Sequence, residues 1–355
     1  MINFFAPINK ILGYGVHAIN LIIAYYKYNK DIALYPINGA LNYSDTIIDE
    51  LLQNQIKSKK DDMGICIWHE FDMLRFCGKP RIGLVVFEKE ELIELAKTQL
   101  MTLNYIIVVS EWAKKVLLRE LKEYKPDNIF IIPEGFDENI FFPEYKQDYK
   151  LETLKEELKF ITIGKFEDRK NSLLILELFA NVASNSLRKT KLIAHMYNHF
   201  NLTWLKEIEK KLNLWGMQKV GNVWLKGNTT IQILDKPFRT QEEIAKVINK
   251  SHFGIYLSDA EGWNLPLIET LACGIPCVCK NITGQTEYLK EYSKELLVNT
   301  QSEILQTFLK LLNEPEKYLD ENYRYDKYLL ENFTWDKAGK KLDKLIKDIK
   351  SYETV

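Results

Sequence analysis

Ser258-Asp259-Ala260-Glu261-Gly262-Trp263-Asn264-Leu265-Pro266-Leu267-Ile268-Glu269-Thr270-Leu271-Ala272-Cys273-Gly274-Ile275-Pro276 is the stretch that decides the fold. An apolar run at 253–257 precedes it and another at 277–279 follows it. Pro266 suits a first helical turn, where its missing N–H would lack a partner anyway, and Gly274 with Pro276 suits a helix end. The segment therefore reads as a strand, a loop over 258–265, a short helix over 266–273, and a second strand. That is the βαβ unit of a parallel sheet. The helix start presents unbonded amides and a positive dipole end at the carboxyl edge of the sheet, where an anion such as a phosphate can bind.

The same rhythm extends in both directions. Apolar runs at 2–8, 32–37, 64–68, 81–87, 105–109 and 128–132 alternate with helix-like stretches at 16–28, 46–56, 89–100 and 111–124. A charged segment at 145–158 contains no strand, and a second series of strands follows at 160–163, 191–196, 223–225, 253–257 and 277–279. Continuous apolar strands fit sheets covered by helices on both faces. The fold class expected is α/β, with two doubly wound parallel-sheet domains facing a central cleft. The divisions are 1–143 for the first domain, 144–158 for a linker, 159–330 for the second domain, and 331–355 for C-terminal helix. Ligands of such sheets bind outside the carboxyl ends of the strands, so the cleft is the expected site.

Composition narrows the class. The chain has 355 residues, 46% hydrophobic and 27% charged, with 48 Lys and Arg against 49 Asp and Glu. The balance is globular, which excludes a disordered chain, and a dedicated nucleic-acid binder would be basic. No run approaches the roughly 18 apolar residues of a membrane span, and the N-terminus lacks the charged and apolar regions of a signal peptide, so a cytoplasmic protein is expected. Five Cys is an odd number for a disulfide framework. Cys273, Cys277 and Cys279 lie close together, but alternation along a strand sends the last two to opposite faces, and buried free thiols are favoured over a metal.

Chemistry concentrates in three places. Glu261, in the loop, has no structural duty and can bond sugar hydroxyls or stabilise positive charge at an anomeric carbon. Glu269 is expected in the first turn of the short helix, either as a dipole-stabilised carboxylate or as the partner of a ribose diol. In Ile161-Thr162-Ile163-Gly164-Lys165-Phe166-Glu167-Asp168-Arg169-Lys170-Asn171, Lys165 and Lys170 bracket a turn at a strand's end. Two cations there can neutralise a diphosphate and stabilise a departing nucleotide. Gly13 and Gly15, in Leu12-Gly13-Tyr14-Gly15-Val16-His17, permit close approach of a ligand. His17 is either a ligand contact or a solvated helix-start residue.

Glu261 and Glu269, with seven residues between them inside this Gly- and Pro-punctuated string, resemble the signature of retaining glycosyltransferases of family four. The resemblance implies the GT-B fold, with two Rossmann-like domains across a cleft. It also implies transfer of a sugar from a nucleotide-diphosphate sugar to a hydroxyl acceptor, with retention of configuration. On that likeness Glu269 holds the donor ribose and Glu261 contacts the transferred sugar. The diphosphate lies against Lys165, Lys170, Gly164 and the amides near Asn264 and Leu265, with Gly13 and Gly15 opposite. Lys165 stands where the family usually has Arg, which replaces a bidentate fork by a point charge. The co-substrate is the nucleotide sugar; no further cofactor and no metal is expected. Pro133-Glu134-Gly135-Phe136-Asp137 resembles the interdomain segment, and Phe333-Thr334-Trp335 opens a helix like the family's last one.

The acceptor half departs from the family. Many members carry a His after the fourth strand; here the stretch is Val86-Phe87-Glu88-Lys89, and Glu88 is the candidate in its place. His69, after the third strand, faces the cleft or caps a helix. Trp263 is the one aromatic ring proposed to line the cleft. His195, His199 and His252 are expected to be structural. The last helix carries Ala338, Leu342, Leu345 and Ile349 on one face and six Lys elsewhere. It docks on the N-terminal domain, as the resemblance implies, or lies on an anionic membrane. Rival readings are a transferase acting on modified nucleic-acid bases, an epimerase or phosphorylase on the same fold, and an inactive binding module.

Overall fold

The computed structural model describes residues 1–37 and 41–353. The last two residues of the segment read as 331–355 therefore lie outside the described residues.

The N-terminal sheet has six strands: β1 Ile2–Ala6, β2 Ile32–Pro36, β3 Met63–Trp68, β4 Arg81–Val85, β5 Tyr105–Val108 and β6 Ile129–Ile131. Their order is β2-β1-β3-β4-β5-β6, and every pairing is parallel. All five residues of β1 are buried. That follows from helices on both faces, and it is why the strands read as unbroken apolar runs.

The C-terminal sheet has eight strands: β7 Leu158–Ile163, β8 Thr190–His195, β9 Gln218–Val220, β10 Val223–Lys226, β11 Thr229–Leu234, β12 Phe253–Tyr256, β13 Cys277–Lys280 and β14 Leu297–Val298. The order is β14-β13-β12-β7-β8-β11-β10-β9. It is parallel from β14 to β11, but β10 and β9 add an antiparallel edge. This sheet is thus mixed, not wholly parallel as the sequence pattern implied. Leu225 faces Thr230 and Lys226 faces Thr229, so Gly227 and Asn228 alone make the turn. A two-residue hairpin turn forces the antiparallel sense.

The charged stretch expected as a linker is built into the second half. It holds a helix, Gln147–Glu156, and β7 begins within it at Leu158. Lys150 is buried there and its ammonium donates to the carbonyls of Asn249 and Ser251. Burial draws its pKa down to about 8.

The helix Trp335–Glu353 crosses back to the N-terminal half. Phe136 N–H donates to Phe333 C=O at 3.1 Å and Trp335 N–H to Phe136 C=O at 3.2 Å, which fixes the crossing point. The helix packs on Gly13–Tyr26 so closely that a Cβ on Gly339 would lie 2.7 Å from the Ala24 carbonyl carbon. Ala338, Leu342, Leu345 and Ile349 are all buried, so the apolar stripe that a membrane contact would need is already covered. No helix of the described residues is long and apolar enough to cross a membrane. All five thiols are free, four of them buried, and among the described residues no group of three or more His, Cys, Asp and Glu is placed to hold a metal.

Candidate active site

The short helix of the deciding stretch runs Leu265–Ala272, with Pro266 in its first turn. Its cap residue is Asn264, held at φ +77°, a left-handed conformation that costs a non-glycine residue on the order of 1 kcal/mol. The Asn264 amide donates to Gln285 Oε1 at 3.0 Å, while its own Oδ1 is buried without a partner among the described residues. Among the described residues no side chain caps the helix amides. The Tyr288 hydroxyl, 3.0 Å from the Trp263 carbonyl, stiffens the loop below. Trp263 itself is 2% exposed, packed on Tyr288 and Phe333 at centroid distances of 5.0 and 5.8 Å. It is a core ring, which corrects the expectation that it lines the cleft.

Two loops clasp each other at the carboxyl ends of β7 and β12. Asp259 N–H donates to Arg169 C=O at 2.7 Å, and the Asn171 amide to Leu257 C=O at 2.8 Å. The clasp delivers Lys170 Nζ to Glu261 Oε1 at 2.6 Å and an Arg169 nitrogen to Glu261 Oε2 at 2.9 Å. Gly164 leaves room for this: a Cβ there would sit 3.1 Å from Lys170 Cδ. Glu261 is 3% exposed. Burial pushes its carboxyl up, but Lys170 and Arg169 outweigh burial and hold it below the usual range. Lys165 goes elsewhere. It is 42% exposed and bonds Glu167 at 2.7 Å, so the two lysines are not a matched pair on one carboxylate.

Arg169 is the residue that sequence reasoning passed over. Besides Glu261 it binds Glu167 at 3.0 Å and reaches across the cleft to Glu88 at 2.9 Å. It was visible between Lys165 and Lys170, but nothing in spacing alone distinguishes a solvated arginine from one that joins both halves. Glu88 therefore faces the cleft from the N-terminal side; burial raises its pKa despite Arg169. The halves approach closely here. A Cβ on Gly262 would lie 2.6 Å from Val86 Cγ1 and 2.9 Å from the Phe87 carbonyl oxygen, so only glycine fits. A second tie runs from the Glu111 N–H, at a helix start, to Glu287 Oε2 at 2.9 Å.

Glu269 lies in the second turn of its helix, not the first, so the dipole does not govern it. It is 5% exposed, and burial, with the Glu134 carboxylate adding to it, pushes its pKa up to about 8. At neutral pH it carries a proton and can both donate and accept. Glu134 was also overlooked, although it lies in the quoted interdomain segment. Its Oε1 is 3.0 Å from His17 Nδ1, and both residues are buried. The His17 ring lies 5.6 Å from Trp335, beneath the returning helix. His17 is thus neither solvated nor open to a ligand, which corrects both readings of it.

Gly13 opens the Gly13–Tyr26 helix with nothing within 4 Å of a would-be Cβ, whereas Gly15 abuts the Asn9 backbone and serves local packing. His69 follows β3, its Nδ1 2.9 Å from the Tyr14 hydroxyl. Two other histidines are structural in their contacts. His252 accepts from Lys159 N–H at 2.9 Å, and the His195 ring is 3.1 Å from Lys236 C=O.

Three comparisons bear on this arrangement. The sequence profile of the family described as glycosyl transferases group 1 matches residues 231–326. A probable sucrose-phosphate synthase of Thermosipho melanesiensis is 26% identical over 202 residues, which is 56% of this chain and 43% of that protein. The match thus spans less than half of that curated relative. Among solved structures, a sucrose-phosphate synthase from Thermosynechococcus elongatus superposes with a TM-score of 0.73 at 13% identity, covering 99% of both chains. HepE of Anabaena, solved with UDP and glucose, gives 0.70 at 13% identity, covering 98% of this chain and 99% of that one. Residues 231–326 thus match the glycosyl transferases group 1 family, and the chain that carries them has the GT-B fold.

Proposed function

We propose that the protein transfers a glycosyl residue from a nucleotide-diphosphate sugar to a hydroxyl acceptor. One observation carries the reading: Glu261, ion-paired to Lys170 and Arg169, lies in the loop leading into the uncapped Leu265–Ala272 helix. Three cations, Lys165, Arg169 and Lys170, are balanced by three carboxylates, Glu88, Glu167 and Glu261. A pyrophosphate recruits the same donors, and the helix amides add their dipole. On this reading Lys165 and Lys170 bind the diphosphate and neutralise the departing nucleotide, without a resident metal. Gly164 and Gly13 leave space beside it.

Glu269, protonated at neutral pH, has the donor and the acceptor that a ribose diol requires. Glu261 contacts the transferred sugar and stabilises positive charge at its anomeric carbon. Retention follows if the acceptor oxygen attacks the face that the leaving phosphate vacates and passes its proton to that phosphate oxygen. HepE, solved with UDP-glucose, makes a uridine nucleotide the first donor to try. The test is nucleotide release from UDP-glucose with and without candidate acceptors, with and without a chelator. Release that needs an acceptor and ignores the chelator supports transfer. Sugar isomerisation without acceptor would instead indicate an epimerase.

A further inference from the structure

Arg169 holds three consecutive residues of the loop that carries Glu261, and one residue of the opposite half. Its carbonyl takes the Asp259 N–H at 2.7 Å. Its Nη1 donates to the Ala260 carbonyl at 2.5 Å and lies 2.9 Å from Glu261 Oε2. Its Nη2 lies 3.0 Å from Glu167 Oε2 and 2.9 Å from Glu88 Oε1. Four oxygens thus surround the two terminal nitrogens, which carry four hydrogens between them. One end of the planar fork serves the Glu261 loop, and the other end serves Glu88 on the N-terminal side. A lysine presents its hydrogens from a single atom and cannot span both ends.

The neighbouring cations are held differently. Lys165 pairs with Glu167 at 2.7 Å and Lys170 with Glu261 at 2.6 Å, one carboxylate each among the described residues. An ammonium with one such partner can turn toward an arriving diphosphate. A guanidinium with four oxygens around it keeps its place. Once Lys170 turns, Arg169 is the cation left on Glu261 among the described residues. Glu261 is buried, and an ionised carboxylate in a dry site needs a paired charge.

Both ends of the fork are anchored. The Tyr14 hydroxyl donates to the Val86 carbonyl at 2.8 Å, which pins the segment that carries Glu88. On the other side the Glu261 N–H donates to Thr283 Oγ1 at 2.9 Å, and the Gly284 N–H to the Glu261 carbonyl at 2.9 Å. The C-terminal half alone therefore sets the Glu261 backbone. The direction of its carboxylate depends also on a guanidinium held from the other half.

We propose that Arg169 is a positioning residue: anchored on Glu88, it aims the Glu261 carboxylate at the transferred sugar and leaves the diphosphate to Lys165 and Lys170. The proposal rests on the glycosyl-transfer reading and adds to it the residue that makes the sugar contact depend on closure of the cleft.

The test is calorimetric titration of the full chain with UDP, UDP-glucose, UDP-galactose and UDP-N-acetylglucosamine. The readout is the sugar nucleotide that the parent binds most tightly, set against UDP. Arg169→Lys should weaken that sugar nucleotide by about tenfold while shifting UDP by less than about twofold. Glu88→Gln removes the charge that anchors the far end of the fork and should weaken it by about threefold, with UDP constant. That variant decides the matter where Arg169→Lys fails to fold. In a Glu261→Gln background Arg169→Lys should add less than about twofold, because a residue that acts through Glu261 has nothing left to aim. A purely structural arginine would lower both ligands together and independently of Glu261. Equal losses for UDP and its sugar, effects that multiply in full in the double variant, or an unchanged sugar-nucleotide affinity in Glu88→Gln overturn the proposal. A parent that binds UDP and none of its sugars also overturns it and leaves the diphosphate grip standing; a parent that binds neither overturns both.

Discussion

Replacing Glu269 by Gln should change the pH dependence of stability in a direction fixed by the structure. In the unfolded chain the carboxyl titrates at its ordinary value of 4.5; in the fold, burial first and the Glu134 carboxylate second push it to about 8. Between those values the folded state holds one proton more than the unfolded state, so stability falls as pH rises. Each pH unit costs roughly 1.4 kcal/mol, and the interval from 4.5 to about 8 accumulates on the order of 5 kcal/mol. Above pH 8 the slope ends, because both states have lost the proton. Glu269→Gln keeps the shape of the neutral acid and removes the titration. The variant should therefore gain on the parent progressively from pH 5 to pH 8. His195 and His252, pulled down to about 4 and about 3 chiefly by burial, slope stability the opposite way below their ordinary 6.5, in parent and variant alike. The difference between the two proteins is thus the quantity to measure, by urea unfolding at half-unit pH steps. A difference that stays flat from pH 5 to pH 8 would refute the buried, protonated Glu269.

Three further outcomes follow from the packing. Lys170→Ala leaves Arg169 as the one cation paired with Glu261 among the described residues and should cost about 2 kcal/mol in chemical unfolding, the worth of a charge-assisted bond, whereas adding Glu261→Gln should recover part of it. Gly262→Val puts a side chain against Val86 and Phe87 and should hold the halves apart, raising the radius of gyration in solution scattering; an unchanged radius contradicts the close approach. Leu342→Ala, in the buried stripe of the returning helix, should destabilise by about 2–5 kcal/mol in thermal melts.

Strand positions were legible because buried parallel strands need continuous apolar runs, and β1 to β8, β10, β12 and β13 coincide with the strands read from the sequence, whereas the short edge strands β9 and β14 were not read. β11 was not read, although Thr229–Leu234 alternates buried and half-buried residues. An alternating strand beside a two-residue turn looks like a surface hairpin unless its partner is known, and β8 is that partner. The linker reading failed at Lys150, whose charge suggests solvent but whose ammonium ties down two carbonyls. At the site, the types of Glu261, Lys170 and Asn264 were readable from local chemistry. Arg169 and Glu134 were not, because each gains its role from a partner far off in sequence: Glu88 for one, His17 for the other. Trp263 misled for a related reason, since a ring in a glycine-flanked loop is drawn into the core by Tyr288 and Phe333.

The central claim is that a pyrophosphate is gripped at the start of the Leu265–Ala272 helix by Lys170 and its neighbours. Calorimetric titration of UDP and of uridine into the parent and Lys170→Ala tests it most directly. The account predicts that the parent binds UDP at least about a hundredfold more tightly than uridine, and that Lys170→Ala erases most of that margin while leaving uridine alone. Equal affinities for UDP and uridine in the parent, or a margin that survives the substitution, would contradict it.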